Sequence, residues 1–326
     1  SHSHTVLKIV PGTGEVARIG GPFEGKYKWL RGIPAGDGAI YGIPAHAESV
    51  LKIVPSTGEV MTFGGPFKGQ WKWHGGVLGG DGAVYGIPSN AESVLKIIPG
   101  SEEVLTIGGP FEGQCKWYGG LLGSDGAIYG IPYNADSVLK IVPSTGEVMT
   151  IGGPFEGDYK WHGGVVAGDG TIYGIPAHHD YVLKIVPETG EVKTIGGPIK
   201  GNYKFGGAVI GDDGAVYAIP FDSEFVLKIV PGTDEVVQME GPPLLGNAKW
   251  QGGMLGDDGA IYAIPSHADT VLRIVPRTGE VGTVAGPMKK LTQSFAGAVR
   301  GEDNAIYGIP HNAKSVMKIV PKMEGA

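Results

Sequence analysis

The stretch that decides the fold is Lys72-Trp73-His74-Gly75-Gly76-Val77-Leu78-Gly79-Gly80-Asp81-Gly82-Ala83-Val84-Tyr85-Gly86-Ile87-Pro88, which is followed by Ser93-Val94-Leu95-Lys96-Ile97. Copies of this unit fill the chain of 326 residues. The valine of its second part recurs with five spacings of 44 residues and then two of 45, at Val6, Val50, Val94, Val138, Val182, Val226, Val271 and Val316. Repetition at a period of about 40 to 50 residues with strand-like content is typical of a β-propeller.

Each copy divides into four short strand signals, here called A to D. In the copy quoted above, strand A covers residues 72–78, strand B 83–88 and strand C 93–98, and the preceding copy has strand D at 60–63. Turns such as Gly80-Asp81-Gly82 and Pro55-Ser56-Thr57-Gly58-Glu59 separate them, because glycine supplies the positive φ of tight turns and proline ends a strand. No segment has the length and periodicity of a helix.

The tyrosine of strand B marks seven copies, at Tyr41, Tyr85, Tyr129, Tyr173, Tyr217, Tyr262 and Tyr307. Since one isolated unit would expose two apolar faces, the units must stack on each other. We therefore predict an all-β fold, a seven-bladed β-propeller with four-stranded antiparallel blades, in a single domain over residues 1–326. Its blades start near residues 27, 71, 115, 159, 203, 248 and 293.

Two segments compete for the third strand of the last blade, residues 6–10 and residues 316–320. We expect residues 6–20 to complete that blade as a C–D hairpin, because this segment keeps the whole Pro11-Gly12-Thr13-Gly14-Glu15 turn. The C-terminal copy continues as Pro321-Lys322-Met323-Glu324 and lacks that turn. In either arrangement strands from both termini close the ring and remove open sheet edges.

Composition excludes several classes of partner. Lys and Arg total 26 against 33 Asp and Glu, for a net charge of −7, whereas a nucleic-acid surface requires a basic stripe. No apolar run is long enough to span a membrane. Cys115 is the only cysteine and no Asn-x-Ser/Thr sequon occurs, which fits a soluble cytoplasmic protein, with a secreted one as the alternative. We expect a monomer.

The order Trp-x-Gly-Gly-Val, Asp-Gly-x-Ile-Tyr and Ser-Val-Leu-x-Ile-x-Pro-x-Thr resembles the NHL, SMP-30/gluconolactonase and streptogramin-lyase-like group of propellers. It is most similar to uncharacterised microbial repeat proteins with Gly-Gly-Val and Ile-Tyr-Gly-Ile-Pro units. The resemblance covers the whole chain and implies that A is the innermost strand and D the outermost. The D–A and B–C links then share one rim. The group includes binding scaffolds, hydrolases and lyases, so the resemblance does not fix an activity.

The same resemblance bears on cofactors. Gluconolactonase-like members hold a divalent cation on the axis through Glu, Asn and Asp, and no inner-strand position of this chain carries those residues. The sequence also lacks Cys/His metal spacing, a Gly-x-Ser-x-Gly elbow and a phosphate-binding loop. We therefore expect no cofactor and no metal site, with a divalent cation on the axis as the alternative.

The B–C link supplies one small polar set in each blade. An imidazole, amide or carboxylate followed two residues later by an acid suits hydroxyl-rich ligands or a cation, whereas the alternative is that these side chains cap the local backbone. The pairs are His46/Glu48, Asn90/Glu92, Asn134/Asp136, His178/Asp180, Asp222/Glu224 and His267/Asp269, with Asn312/Lys314 as a variant.

Strand A supplies a second set, a lysine followed by an aromatic residue. The aromatic residue is expected to pack between blades, and the lysines either form a cationic ring or lie along the rim. The residue after the aromatic varies, as an axial ligand site or relaxed packing would both allow. Candidate ligand contacts here are Lys72, Trp73, His74, Tyr118, Lys160, Trp161, His162, Trp250 and Gln251.

Catalytic candidates are few. His74 and His162 occupy the variable position of strand A, where a lyase or hydrolase would place a base. His178-His179-Asp180-Tyr181 is the densest polar cluster. Copies that break the repeat are a better indication of a unique site, and these are Arg31, Pro34, the 221–225 link and the lengthened D–A links at 242–246 and 288–292. Different packing at the closure of the ring is a sufficient alternative explanation for them.

The leading hypothesis is a non-catalytic binding protein with quasi-equivalent sites on one rim, lectin-like and bound to a glycan or another small polar ligand. Its motivation is the per-blade recurrence of Lys-Trp and of His or Asn followed by an acid. The alternatives are a lyase or hydrolase with its site at the mouth of the central channel, and a protein-interaction scaffold with a protein partner.

Overall fold

The structure is a computed structural model, which describes residues 3–286, 288 and 293–321. Every regular element in these residues is a β-strand. No helix that could cross a membrane occurs in this described part of the chain. The expectation of an all-β fold is confirmed.

The chain divides into two compact units. The first comprises Ser1–Val10, Gly14–Asp158 and Val186–Val192. It holds a two-stranded sheet and three four-stranded antiparallel sheets, each with its strands in sequence order. Their strands are β1 Val6–Val10, β2 Glu15–Ile19, β3 Trp29–Pro34, β4 Ile40–Pro44, β5 Val50–Val54, β6 Glu59–Phe63, β7 Trp73–Leu78, β8 Val84–Pro88, β9 Val94–Ile98, β10 Glu103–Ile107, β11 Trp117–Leu122, β12 Ile128–Pro132, β13 Val138–Val142 and β14 Glu147–Ile151.

The second unit comprises Pro11–Thr13, Tyr159–Ile185 and Lys193–Ala326. The sheets of this half of the chain are three of four strands and a last one of three. Their strands are β15 Trp161–Val166, β16 Ile172–Pro176, β17 Val182–Val186, β18 Glu191–Ile195, β19 Phe205–Ile210, β20 Val216–Pro220, β21 Leu227–Val230, β22 Glu235–Gln238, β23 Trp250–Leu255, β24 Ile261–Pro265, β25 Val271–Val275, β26 Glu280–Val284, β27 Phe295–Arg300, β28 Ile306–Pro310 and β29 Met317–Ile319. The fold class is the seven-bladed β-propeller.

The third strand of the last blade is β29, so the expectation that residues 6–20 complete this blade is wrong. β28 pairs with β29 through Ile306↔Ile319, Tyr307↔Lys318 and Gly308↔Met317, whereas β1 pairs with β2 in a separate sheet. The short B–C link before β29 brings a local strand to the open edge at little entropic cost. The Pro11–Glu15 turn stabilises the β1–β2 hairpin and does not determine where that hairpin pairs.

Turn residue Pro11 nevertheless contacts the last sheet, by its side chain and carbonyl and not by strand pairing. The Tyr307 hydroxyl, which donates to Asp303 Oδ2 at 2.8 Å, lies 3.4 Å from the Pro11 carbonyl oxygen. A Cβ built on Gly301 would lie 3.1 Å from Pro11 Cγ. In the same unit, Pro276 meets Gly211 and Pro321 meets Gly256 in the same way. Pro276 and Pro321 each follow strand C of one blade and contact the preceding blade. Pro11 contacts the last blade in the same way.

The tryptophan of strand A packs between blades, as the sequence predicts. Trp73 is 3% exposed and lies in one core cluster with Tyr41 and Ile43 of β4 and with Leu95 of β9. The glycine pair after it permits this close approach, because a Cβ on Gly76 would lie 2.8 Å from Ile43 Cγ1. These residues are therefore fold determinants.

The A–B turns are held by a repeated side-chain network. In the second blade, Asp81 Oδ2 accepts hydrogen bonds from the Tyr85 hydroxyl at 2.7 Å and from Lys96 Nζ at 2.9 Å. Its Oδ1 accepts the Ala83 N–H at 3.2 Å. Because one carboxylate ties the A–B turn to strands B and C, this rim is structural, in agreement with its near-identity between repeats.

Candidate functional site

The repeated lysines of strand A are buried. Lys72 is 3% exposed, and its ammonium donates to the Ala45 carbonyl at 3.0 Å and the Gly69 carbonyl at 3.1 Å. Lys204 does the same with Ala177 at 2.8 Å and Gly201 at 2.9 Å. Each of these lysines therefore ties its own D–A link to the B–C link of the preceding blade. The other buried members are Lys28, Lys116, Lys160 and Lys249.

The strand A tryptophans hold the B–C link from below. The indole N–H of Trp73 donates to the Ser93 carbonyl at 2.8 Å, that of Trp161 to Tyr181 at 2.9 Å and that of Trp250 to Thr270 at 2.7 Å. In each case the acceptor directly precedes strand C. The buried Lys-Trp pair therefore builds the floor of the rim on which the predicted polar residues stand.

The asparagine and aspartate side chains at the capping position of the B–C link bond the backbone of neighbouring segments. Asn90 Oδ1 accepts the Cys115 N–H at 2.8 Å, and Asn90 Nδ2 donates to the Gln70 carbonyl at 3.0 Å. Asn134 Nδ2 donates to the Gln114 carbonyl at 3.3 Å, and Asp222 Oδ1 accepts the Ala248 N–H. The capping interpretation therefore applies to these side chains.

The acidic residue two positions after each capping residue is held differently, by its backbone. Its backbone carbonyl accepts an N–H from the D–A link, as Glu48 does from Phe67 and Glu92 from Phe111, both at 2.8 Å. Its side chain points away from the core, and the carboxyl groups of Glu48, Glu92 and Glu224 belong to exposed residues. Asp180 pairs with Lys200. The carboxylates therefore line the rim, while their backbone fixes its shape.

Two grooves occupy equivalent places in different blades, one in each unit. The first, of about 430 Å³, lies between the D–A link at Pro110–Glu112 and the B–C link at Asn134–Ser137. The second, of about 400 Å³, lies between Pro242–Asn247 and His267–Thr270. The Lys-Trp pairs Lys116-Trp117 and Lys249-Trp250 contribute to the two walls. We call these the rim grooves.

Each unit also carries an aromatic trio on this rim, which the sequence reasoning missed. In the first unit the rings of Tyr27 and Trp71 lie 5.0 Å apart, and the His46 ring meets Trp71 edge-on at 4.5 Å. In the second unit the corresponding rings are Tyr159, His178 and Tyr203, with His178 4.3 Å from Tyr203. His46 and His178 thus lie within aromatic clusters.

The outer members of these trios are the residues that precede the repeated lysine. All four have a positive φ, between 45° and 54°, at Tyr27, Trp71, Tyr159 and Tyr203. Positive φ is rare for bulky residues, but Cys115, Ala248 and Gln293 at the equivalent positions share it, so the repeat imposes this backbone conformation. Tyr159 and Tyr203 remain 37% and 41% exposed. The signal that would have found them is the aromatic residue before Lys28, Lys72, Lys160 and Lys204.

The variable residues of strand A gather in the first unit on neighbouring strands β7 and β11. The His74 and Tyr118 rings lie 3.8 Å apart at 33°, and Tyr118 also meets Tyr133 at 5.1 Å. Burial raises the pKa of Tyr118 to about 12, against the opposite effect of the Arg31 charge. The structure therefore places the predicted His74 and Tyr118 together, beside the outlier Arg31.

The other histidine candidates lie in the second unit. His162 on β15 and Gln251 on β23 are half-buried. The His179 ring stacks on Trp161 at 4.4 Å, and burial lowers the pKa of its imidazole. Across residues 3–286, 288 and 293–321, no three His, Cys, Asp or Glu side chains are placed to hold a metal ion.

The sequence matches no protein-family model and no curated protein sequence. Among solved structures, streptogramin B lyase is similar at 19% identity and a TM-score of 0.59, over 78% of this chain and 84% of that one. A catalytically inactive histidine-to-alanine variant of virginiamycin B lyase from Staphylococcus aureus, with quinupristin, is similar at 15% identity and a TM-score of 0.60. The match covers 78% of this chain and 86% of that one.

A periplasmic gluconolactonase from Pseudomonas aeruginosa is similar at 12% identity and a TM-score of 0.60, over 89% of this chain and 93% of that one. At these identities the likeness concerns the fold. The resemblance that the repeat motifs indicate is thereby confirmed for the fold: the chain is a β-propeller similar to the streptogramin lyases and a gluconolactonase.

Proposed function

We propose that this protein is a lectin-like, non-catalytic binding protein whose rim grooves and aromatic trios take polyhydroxylated ligands. The observation that carries the proposal is that the two grooves lie at equivalent positions of different blades. A groove built by the repeat itself provides several similar sites, as expected of a multivalent binder. Multivalent binding turns weak individual affinities into strong overall binding.

The chemistry of the groove walls supports this ligand class. The first groove offers the Asn134 amide, the Asp136 carboxylate and the Ser137 hydroxyl beside Phe111. Carboxylates accept hydrogen bonds from hydroxyl groups, and amides both accept and donate them, in fixed directions. The half-buried Phe111 ring supplies a flat apolar surface in the same wall. Together they suit a ligand with hydroxyl groups around an apolar face, which is the chemistry of a sugar.

A glycan array followed by calorimetric titration tests the proposal. We expect a bound oligosaccharide with more than one site per chain. Trp71→Ala and Tyr203→Ala should each weaken binding about 3- to 10-fold, the loss of one ring contact. Leu105→Ala is the control, since this side chain is 40% exposed on β10, away from the rim. Absence of any glycan ligand, or a single site unaffected by these variants, would contradict the proposal.

A lyase or hydrolase is the second candidate. What favours it is the contact between His74 and Tyr118, an imidazole beside a phenol whose pKa is raised to about 12. Such a pair offers a general base and a proton donor. Incubation with quinupristin and with gluconolactone, followed by mass spectrometry, should then show a product. The double variant His74→Ala, His162→Ala should lower the rate at least 100-fold, and an unchanged rate would eliminate this candidate.

A further inference from the structure

Arg31 occupies a position that is glycine in the other six repeats. Strand A reads Trp29-Leu30-Arg31-Gly32 in the first blade, against Trp73-His74-Gly75-Gly76 in the second. The equivalent residues in the remaining blades are Gly119, Gly163, Gly207, Gly252 and Gly297. All seven have a positive φ, and that of Arg31 is 61°. The backbone at this position therefore demands glycine, and the first blade departs from that demand.

In the part of the chain that the structure describes, no hydrogen bond or ion pair offsets the backbone strain at Arg31. Residues with side chains are destabilised at positive φ, persist there where the surrounding structure imposes the conformation, and are enriched at functional sites. Arg31 is exposed, and its guanidinium has no hydrogen bond or ion pair to any residue that the structure describes. No hydrogen bond or ion pair among the described residues therefore explains why this position has arginine instead of glycine.

The local geometry directs the Arg31 side chain along a defined path. The β3–β4 register shifts between Leu30 and Gly32, so Arg31 is the bulged residue, and bulges re-aim side chains. A Cβ built on Gly75 would lie 3.5 Å from Arg31 Cδ and 3.9 Å from its Nε. The arginine therefore crosses from β3 over the glycine of β7. A larger residue at position 75 would obstruct this path.

The path leads to a stack of rings. His74, which directly precedes Gly75, stacks on Tyr118 at 3.8 Å, and Tyr118 continues to Tyr133 at 5.1 Å. All three rings belong to half-buried residues. The Arg31 charge is close enough to act on the Tyr118 phenol. The neighbourhood therefore combines a flat aromatic surface with a permanent cation that has no ion-pair partner among residues 3–286, 288 and 293–321.

We propose that Arg31 and the His74–Tyr118 stack form a binding site for a ligand that carries an oxyanion next to a planar group. A guanidinium binds a carboxylate or phosphate through two parallel hydrogen bonds. The imidazole and phenol rings provide a surface on which a planar group stacks. This site is single, because the first blade alone has the arginine, and the inference does not depend on the rim proposal.

The test uses three small probes on the full chain: benzoate, phenyl phosphate and benzamide. Chemical shifts of the aromatic side chains, followed during titration, report binding at the stack. We expect benzoate or phenyl phosphate to bind at one site per chain, at least 10-fold more tightly than neutral benzamide. Whichever of benzoate and phenyl phosphate binds more tightly identifies carboxylate or phosphate as the preferred anion. Equal affinity for benzamide would overturn the proposal.

Arg31→Gly is the decisive variant, because the proposal predicts opposite effects on binding and stability. Binding of the anionic probe should fall at least 10-fold, while the melting temperature should rise by about 1–3 °C as the backbone strain is released. Arg31→Lys should keep the strain and recover part of the affinity. Arg18→Ala, an exposed arginine on β2, controls for the change in net charge.

Two results would contradict the inference. One is unchanged anion binding in Arg31→Gly, and the other is a fall in melting temperature, which would mean that the arginine serves the fold. The rim variants Trp71→Ala and Tyr203→Ala should leave anion binding unchanged. Failure of the glycan experiment and failure of this one are thus separable.

Discussion

Trp73→Ala is expected to lower the free energy of unfolding by about 3–5 kcal/mol, the range for replacing a buried tryptophan by alanine. The indole fills the space between two blades and is 3% exposed. Its removal also leaves the Ser93 carbonyl without the N–H that donates to it at 2.8 Å. The variant loses apolar packing and a hydrogen bond at the same place.

Trp71→Ala is a closely matched control, because the same change is made two residues away. Trp71 is half-buried on the rim and contacts Tyr27 and His46 only through ring edges and tilted faces. We expect a loss of about 1 kcal/mol or less. Urea denaturation followed by circular dichroism measures both variants. Equal losses for the two would mean that strand A tryptophans are not the packing elements between blades.

The packing role of this tryptophan could be predicted from the sequence because it depends on the repeat. The spacing of 44 residues fixes the blades, and the Gly75-Gly76 pair after the aromatic indicates close approach to a neighbour. Both features are local and are restated in most copies. The structure adds the hydrogen bond from the indole to the B–C link, which no spacing reveals.

The sequence could not identify the third strand of the last blade as reliably. Residues 6–10 and 316–320 have nearly the same sequence, Val-Leu-Lys-Ile-Val and Val-Met-Lys-Ile-Val. Hydrophobic patterning therefore cannot distinguish them, and the quality of the following turn is a property of the hairpin alone. Chain connectivity distinguishes them, because β29 follows β28 through a short link.

The exposed side chains of the candidate sites are more often sequence neighbours of the predicted residues than the predicted residues themselves. The Lys-Trp pair is buried beneath the rim, and the residue before it, such as Tyr203, carries the exposed ring. Burial of a lysine and positive φ at a tyrosine both depend on tertiary contacts, so neither is visible in a residue pattern. His74 and Tyr118 were predicted singly, and the structure brings them together.

Arg31 illustrates how symmetry helps to separate fold from function in a repeat protein. A feature that several blades share, such as the Asp81–Tyr85–Lys96 network and its equivalents at Asp125 and Asp213, is sufficiently explained by the fold. A feature that one blade has at a cost in backbone strain needs a separate explanation. The shared rim grooves lie between these cases, since repetition alone fits both a structural role and multivalent binding.

Lys204 is expected to make the protein more stable as the pH rises from 7.5 to 9.5. This lysine is 2% exposed, and burial lowers its pKa to about 8 in the folded state. In the unfolded chain its pKa returns to about 10.4. Between these values the unfolded state binds more protons, so the free energy of unfolding increases with pH. The expected rise is about 2 kcal/mol over this interval.

Other buried lysines should also increase the free energy of unfolding as the pH rises, whereas buried tyrosines should decrease it at higher pH. Burial also lowers the pKa of Lys28, Lys72, Lys116 and Lys249. By contrast, burial raises the pKa of Tyr217 to about 12, so its phenol ionises first in the unfolded chain and stability falls above about pH 10. The interval from 7.5 to 9.5 therefore isolates the lysine contribution.

Lys204→Met should remove most of the pH-dependent rise that Lys204 contributes, whatever its effect on stability at pH 7.5. Urea denaturation of the wild type and the variant at pH 7.5 and 9.5 gives the difference directly. Lys26→Met, at an exposed lysine in a D–A link of the first unit, should retain the full rise. A wild-type stability that falls across this interval, or an unchanged rise in Lys204→Met, would show that the buried ammonium keeps its proton through its bonds to Ala177 and Gly201. That result would identify the strand A lysines as permanent charges held by backbone carbonyls.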